Sequence, residues 1–327
     1  MSSRTYVALS GGVGGAKLSL GLAHMLGDRL SIIVNTGDDF EHVGLHVSPD
    51  VDTALYTLAD VVNPETGWGR RDETWTFMRA LAALGGPAWF RLGDGDLATH
   101  VERTRRLKAG ETLTQICTHM ADKLGISARV LPMTDDPVRT VVDTEAGTLA
   151  FQEYFVREQC RPPVRAIRFE GASTARPTQS VLDALAADTL AGIIICPSNP
   201  WLSVDPILAV PGLREAMRAS GAPIVAVTPI IGGKAVKGPA AKIMAELGLT
   251  PDVRSIAQRY TGLVDMLVID AVDADLAGGM PIQVTAANTL MQTLDDKIAL
   301  ARRCLELCDR LGQTSKPGAD QGPAGAR

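Results

Sequence analysis

The sequence predicts an α/β protein built on a Rossmann-like, doubly wound and mainly parallel sheet, with a helical insertion and a small, partly antiparallel β subdomain. Three observations predict it. Residues 6–9 are apolar and lead through Ser10-Gly11-Gly12-Val13-Gly14-Gly15 into helical periodicity, which is the pattern of strand, tight turn and helix. Further short apolar runs at 31–35, 190–196, 224–228 and 264–270 alternate with helical stretches, as strands do in a parallel sheet covered on both faces. Polar, glycine-rich loops follow these runs, at the strand ends where open α/β sheets take their ligands.

The first strand delivers the chain to Gly11, Gly12, Gly14 and Gly15, which allow positive φ and close backbone approach while the next helix points its N–H groups at an anion. A diphosphate is the natural guest of such a loop. Two literal nucleotide motifs are absent: Lys17 stands where the dinucleotide fingerprint needs its third glycine, and no G-x-x-x-x-G-K-[ST] run occurs. The loop therefore indicates phosphate without saying which phosphate, and a turn that only lets strand and helix pack closely is the alternative.

The first helix runs to about residue 25, with Leu18, Leu22 and Met25 or Leu26 as its apolar stripe. The strand 31–35 ends in Asn35-Thr36-Gly37-Asp38-Asp39. Ser48-Pro49, a capping residue followed by proline at the first helical position, opens a helix whose buried face is Val51, Leu55, Leu58 and Val62. Asp50 falls in its first turn; Asp52, turned about 160° away, reads equally well as a solvated or dipole-compensating residue.

Residues 65–126 are mostly helical and read as an insertion over the site, containing the acidic turn Gly93-Asp94-Gly95-Asp96 that leads to Thr99 and His100. Strands at 128–131, 138–143, 148–155 and 164–169 form the β subdomain, about 127–170, with a second acidic loop, Thr134-Asp135-Asp136-Pro137, between the first two. A plain proline turn is that loop's simpler reading. The parallel pattern resumes at 190–196, followed by Pro197-Ser198-Asn199-Pro200, a helix around 211–219, the strand 224–228 and a glycine and lysine loop carrying Lys234 and Lys237. After a helix from residue 239, the run 264–270 is the last clear parallel strand and 296–311 the closing helix. One domain over 1–311 and a disordered tail over 312–327, rich in Gly, Pro and Ala, are expected.

At 327 residues the chain can bury a large core, and its net charge of −5, with signs interspersed, offers no basic field for nucleic acid and no basic membrane anchor. Five cysteines without a C-x-x-C pair argue against a disulfide framework or structural zinc, and Cys304 and Cys308 read as small core residues of one helix. No signal-peptide pattern or membrane-length apolar run is present, so a cytoplasmic protein is expected.

The polar loops can converge on one crevice at the strand ends. Glycine-loop amides, Ser198, Asn199, Lys234 and Lys237 can hold phosphates there, while Asp38, Asp39, Asp50 and Asp52 can hold a hard cation such as magnesium or receive a proton. Many carboxylates beside a phosphate site make sense when a divalent cation lies between them.

These residues resemble the CofD/FbiA family, the 2-phospho-L-lactate transferases of coenzyme F(420) biosynthesis. The resemblance extends to about residue 311 and is carried in order by Ser10-Gly11-Gly12-Val13-Gly14, Val34-Asn35-Thr36-Gly37-Asp38-Asp39, Ser48-Pro49-Asp50-Val51-Asp52-Thr53, Gly93-Asp94-Gly95-Asp96-Leu97-Ala98-Thr99-His100, Leu131-Pro132-Met133-Thr134-Asp135-Asp136-Pro137, Pro197-Ser198-Asn199-Pro200 and Pro229-Ile230-Ile231-Gly232. It implies a magnesium-dependent transfer of a phospho-acid from a guanosine diphospho-linked donor to the ribityl hydroxyl of the deazaflavin Fo, with GMP released, by a homodimer. It implies that Asp50 holds the ribityl chain and is the candidate base, and that Asp38 and Asp39 hold magnesium. The glycine loop (Ser10, Gly11, Gly12, Gly14, Gly15) with Ser198 and Asn199 would hold the GDP-like half. Asn35, Thr99, His100 and Asp136, in the matching blocks, and Lys234 complete the expected substrate-binding set. The chain departs from some relatives at Ile282-Gln283-Val284, so no role is carried there.

Two rival classes stand beside this reading. A related family of regulators with a similar glycine loop binds a nucleotide sugar without turning it over, but does not account for Trp68 or the block at 93–100. A nicotinamide-dependent oxidoreductase is disfavoured by Lys17. The three-carbon acid, phospholactate, phosphoenolpyruvate or phosphoglycerate, is not assigned to any residue.

Overall fold

The computed structural model describes residues 4–236 and 238–314. Seven parallel strands form the central sheet in the spatial order Gln283–Ala287, Met266–Asp270, Ile224–Val227, Leu190–Ile195, Thr5–Ser10, Leu30–Val34, Arg129–Pro132. The expected doubly wound parallel sheet is thus observed, and its direction of winding reverses between Thr5–Ser10 and Leu190–Ile195. Such a switch point leaves a crevice outside the strand ends. The glycine loop leaves one of these two strands and Pro197-Ser198-Asn199 leaves the other.

Alternation along each strand divides the core into two layers. Val7 and Leu9 face the layer packed by the helices Gln179–Leu185, Leu213–Ala219, Ala240–Glu246 and Val253–Arg259. Tyr6 and Ala8 face the other, packed by Gly12–Leu26, Pro49–Leu58, Leu113–Lys123 and Leu294–Thr314. Both faces of Thr5–Ser10 and Leu30–Val34 are therefore buried, which is why these strands read as continuous apolar runs. The last helix packs along the first and continues to Thr314; the rest of the tail expected from residue 312 lies outside the described residues.

Between 65 and 126 the helices are Thr76–Ala83, Asp94–Lys108 and Leu113–Lys123. A separate antiparallel sheet pairs Gly147–Ala150, Arg139–Thr144 and Val164–Glu170. The strand expected at 148–155 stops at Ala150, and Glu153–Arg157 forms a π-helical turn. The reason is spacing: Phe151 and Tyr154 are both buried and Phe151 stacks on Phe155 at 5.5 Å, a helical rather than an alternating pattern. The edge strand Gln283–Ala287 adds a seventh member beyond the run at 264–270; short, half-exposed and carrying Gln and Thr, it has no apolar signature.

Candidate active site

The switch-point crevice opens into a cavity of about 580 Å³. Gly11, Gly12 and Gly14, Ser198 and Asn199 line its base; Asp38 and Asp50 line one side; Tyr56, Trp68, Trp89, Phe90, Phe151 and Phe155 give the rest an aromatic wall. The helix Pro49–Leu58 connects these parts, since Pro49, Asp50, Asp52, Thr53 and Tyr56 all face the cavity.

Asp50 is held at the base. Gly12 N–H donates to its Oδ1 at 2.8 Å and Asn35 Nδ2 donates to its Oδ2 at 2.9 Å. Asn35 is fixed in turn, because its Oδ1 accepts the Gly37 N–H at 2.8 Å and its Nδ2 also reaches the Leu202 carbonyl at 3.3 Å. Burial pushes the Asp50 carboxyl up to about 6, against the pull of those two hydrogen bonds and with help from the Asp39 charge.

The glycines serve the meeting of two loops as much as a ligand. A Cβ on Gly14 would overlap the Pro197 carbonyl oxygen, and one on Gly15 would lie 2.6 Å from both Ser10 Oγ and Ser198 Oγ. Gly11 N–H donates to Ser198 Oγ at 3.1 Å, so the Gly11 and Gly12 amides are both engaged by protein groups. Val13 and Gly14 line the cavity in the first turn of the helix Gly12–Leu26, whose amides have no intrahelical partner, and a helix N-terminus of this kind accepts an anion. Lys17 also lines the cavity, its Nζ donating to the Met291 carbonyl at 2.9 Å.

Asp38 and Asp39 are buried together at the end of Leu30–Val34. Asp39 Oδ2 accepts from Ser48 Oγ at 2.5 Å and lies 3.1 Å from His46 Nε2. Ser48 therefore gives its hydroxyl to Asp39 and does not cap the helix with its side chain, as its sequence position suggests. Among the described residues, Oδ1 of Asp38 and Oδ1 of Asp39 have no hydrogen-bond partner. Burial, with the charge of Asp50 next, drives the Asp38 carboxyl well above the ordinary carboxylate range. Unpartnered hard oxygens in a cluster of carboxylates fit a hard divalent cation.

Asp52 departs from its expected solvated role. It is buried, lines the cavity and binds both terminal nitrogens of Arg103, a guanidinium that is itself 0% exposed. His100 Nδ1 lies 3.3 Å from Arg103 NH1, and His100 Nε2 lies 3.2 Å from Asp96 Oδ2. Asp52, Asp96 and His100 thus present ligand atoms within 4.8 Å of one another, but Arg103 already supplies positive charge to Asp52.

The remaining expected site residues divide. Gly11, Gly12, Gly14, Asp38, Asp50, His100, Ser198 and Asn199 line the cavity, while Ser10, Gly15, Asn35 and Asp39 lie behind that lining. The Asn199 side chain caps the turn Pro200–Val204, accepting from Trp201 and Leu202 N–H at 3.0 and 3.2 Å. Thr99 sits beside Tyr56 without lining the cavity. Asp136 is remote: its carboxylate accepts the Arg176 N–H at 2.9 Å in a loop crossing. Lys234 is exposed on the hairpin Ile230–Ile231/Lys234–Ala235, outside the lining, and Lys237 lies outside the described residues. Tyr56, Arg103, Gln152 and Lys17 carry no motif signal of their own; their places are set by tertiary packing.

The fold and this site define a class: a Rossmann-type α/β protein whose switch-point cavity joins an anion-binding helix terminus, a carboxylate cluster and an aromatic chamber. A family model described as 2-phospho-L-lactate transferase CofD matches residues 6–288. The phosphoenolpyruvate transferase of Streptomyces coelicolor is 41% identical over 317 residues, covering 93% of this chain and 98% of that protein. The 2-phospho-L-lactate transferase of Methanocaldococcus jannaschii is 40% identical over 308 residues, with the same coverage. The chain belongs to the CofD family, transferases of coenzyme F(420) biosynthesis. A crystal structure of a UPF0052 family protein from Bacillus halodurans shares the fold, with a TM-score of 0.59, 17% identity and coverage of 92% of this chain and 99% of that one.

Proposed function

We propose that this chain transfers a phospho-acid group, phospholactyl or its phosphoenolpyruvyl or phosphoglyceryl equivalent, from a guanosine diphospho-linked donor to the terminal ribityl hydroxyl of Fo. The hydroxyl oxygen forms a bond to the phosphorus of the phospho-acid, the bond from that phosphorus to the GMP oxygen breaks, and the hydroxyl proton is released. The observation that supports this most is Asp50, a buried carboxylate at the base of one cavity that has an anion-binding helix terminus beside it and an aromatic chamber beyond.

Each oxygen of Asp50 accepts one protein hydrogen bond and keeps a free lone pair, so the group can accept a hydroxyl and orient it. Its raised carboxyl, at about 6, suits a proton acceptor near neutral pH. Val13 and Gly14 amides face the diphosphate, and Lys17 adds a cation on that side. Asp38 and Asp39 would hold magnesium, which supplies charge neutralisation to the diphosphate when bound. Trp68, Trp89 and Phe90 exclude water from the ring of Fo. The protein acts as a cytoplasmic homodimer.

Incubation of purified protein with Fo, the guanylylated phospho-acid and magnesium tests this. GMP is expected only when Fo is present, matched mole for mole by phospho-acid-modified Fo. Tight nucleotide binding without GMP would favour the non-catalytic regulator.

A further inference from the structure

A carboxylate stands in the aromatic part of the cavity, whose lining also includes Arg91. Asp96, in the first turn of Asp94–Lys108, faces the same space as Tyr56, Trp68 and Phe90. It is held from several sides. Tyr56 O–H donates to its Oδ1 at 2.7 Å, His100 Nε2 lies 3.2 Å from its Oδ2 one helical turn on, and its own N–H donates to Glu73 Oε1 at 2.7 Å.

The far end of this chain fixes the histidine. An arginine can only donate, so the 3.3 Å approach of Arg103 NH1 makes His100 Nδ1 the acceptor and leaves the ring proton on Nε2, which lies 3.2 Å from Asp96 Oδ2 without the alignment of a hydrogen bond. Arg103 is anchored by Asp52. Burial works to raise the Asp96 carboxyl, but His100, the Tyr56 hydroxyl and the charge of Arg103 outweigh it and hold the group below the usual carboxylate range. The result is a carboxylate with acceptor sites only, in a chamber walled by aromatic rings. Beyond the Tyr56 hydroxyl its oxygens keep acceptor sites, and a ligand that fills the chamber strips water from them unless it offers an N–H or O–H in return.

We propose that Asp96 determines acceptor specificity by accepting a hydrogen bond from the imide N–H of the deazaflavin ring, with His100 and Arg103 as positioning residues. This rests on the Fo reading of the site. A flat heterocycle matches the aromatic walls, and the imide is the N–H that its pyrimidinedione edge presents. A carboxylate there also rejects rings that carry an anion or a carbonyl at the same point.

Fluorescence titration of Fo and of its N-methyl imide derivative tests the pairing, with GDP binding as the check on folding. Wild type is expected to prefer Fo by about 10- to 10²-fold, the span of a hydrogen bond to a charged group. Asp96→Ala should erase the preference by weakening Fo and leaving the methylated ring unchanged. His100→Leu should shrink it, and His100→Gln, which keeps a donor, should restore part of it. Equal affinity of wild type for the two rings, or a preference that survives Asp96→Ala in protein that still binds GDP, would overturn the inference. Failure of wild type to bind either ring would instead overturn the acceptor reading beneath it, and this inference with it.

Discussion

Asp50 and Asp52 stand two residues apart on one helix and face the same cavity, yet they belong to opposite partnerships. Asp50 binds neutral donors, the Gly12 amide and Asn35, whereas Asp52 binds the buried Arg103 guanidinium. Helical geometry turns their side chains apart, but the cavity wraps around enough of the helix to reach both. One carboxylate keeps free lone pairs for a ligand; the other is a structural counter-ion.

Asp52→Asn should therefore act on stability. Removing one member of a buried ion pair leaves the other charge uncompensated, at about 3–5 kcal/mol. Urea unfolding should show that loss, and the joint replacement Asp52→Leu with Arg103→Met should recover much of it. An Asp52→Asn protein as stable as wild type would contradict the buried pair.

The glycine loop gives a ranking. Gly14→Ala puts a methyl into the Pro197 carbonyl, a backbone atom that cannot rotate away, so it should lower the melting temperature sharply. Gly12 has φ of +64° with nothing within 4 Å of a Cβ, so Gly12→Ala should cost only the left-handed strain, about 1–2 kcal/mol. A reversed order in thermal unfolding would mean that the two strand-end loops do not meet as described.

How much of this could be read in advance depends on the range of the interaction. Strands such as Leu30–Val34 announce themselves by unbroken apolar residues, and Asp38 and Asp39 by following one directly. Arg103 does not, because its partner is 51 residues away and an arginine on a polar helix ordinarily reads as solvated. Gln152 and Phe151 enter the cavity because a strand breaks into a π-helical turn after Ala150. Asp136 shows the opposite case, an acidic loop used for a backbone crossing.

The pH dependence has a definite sign. The Asp50 carboxyl lies at about 6 in the folded protein, above its ordinary value, so its contribution to stability is full at low pH and is lost as pH rises through 6. The stability of wild type relative to Asp50→Asn should therefore rise as pH falls from about 6 to about 4, the window between the folded and the ordinary value. Turnover should fall on the acid side with an apparent pKa near 6, coupled to the neighbouring Asp38 carboxyl. A flat profile down to pH 5 would remove ionised Asp50 from the reaction.

Chelation should abolish turnover, and magnesium should restore it. Asp38→Asn should raise the magnesium concentration needed for half-maximal rate, because it removes one of the two unpartnered oxygens' charge. Full activity in excess chelator would contradict a metal role for this pair.

The most direct test of the account is Asp50→Asn, followed by turnover and by the dissociation constants of Fo and GDP on the same preparation. Asparagine retains an acceptor for the Gly12 amide but not the charge. If the carboxylate takes the hydroxyl proton, turnover should drop by about 10²- to 10⁴-fold while both ligands bind within a few fold of wild type. If it only positions the alcohol, the loss should fall on the Michaelis constant for Fo. Wild-type turnover and wild-type Fo affinity together would contradict the placement of Asp50 at the reacting hydroxyl.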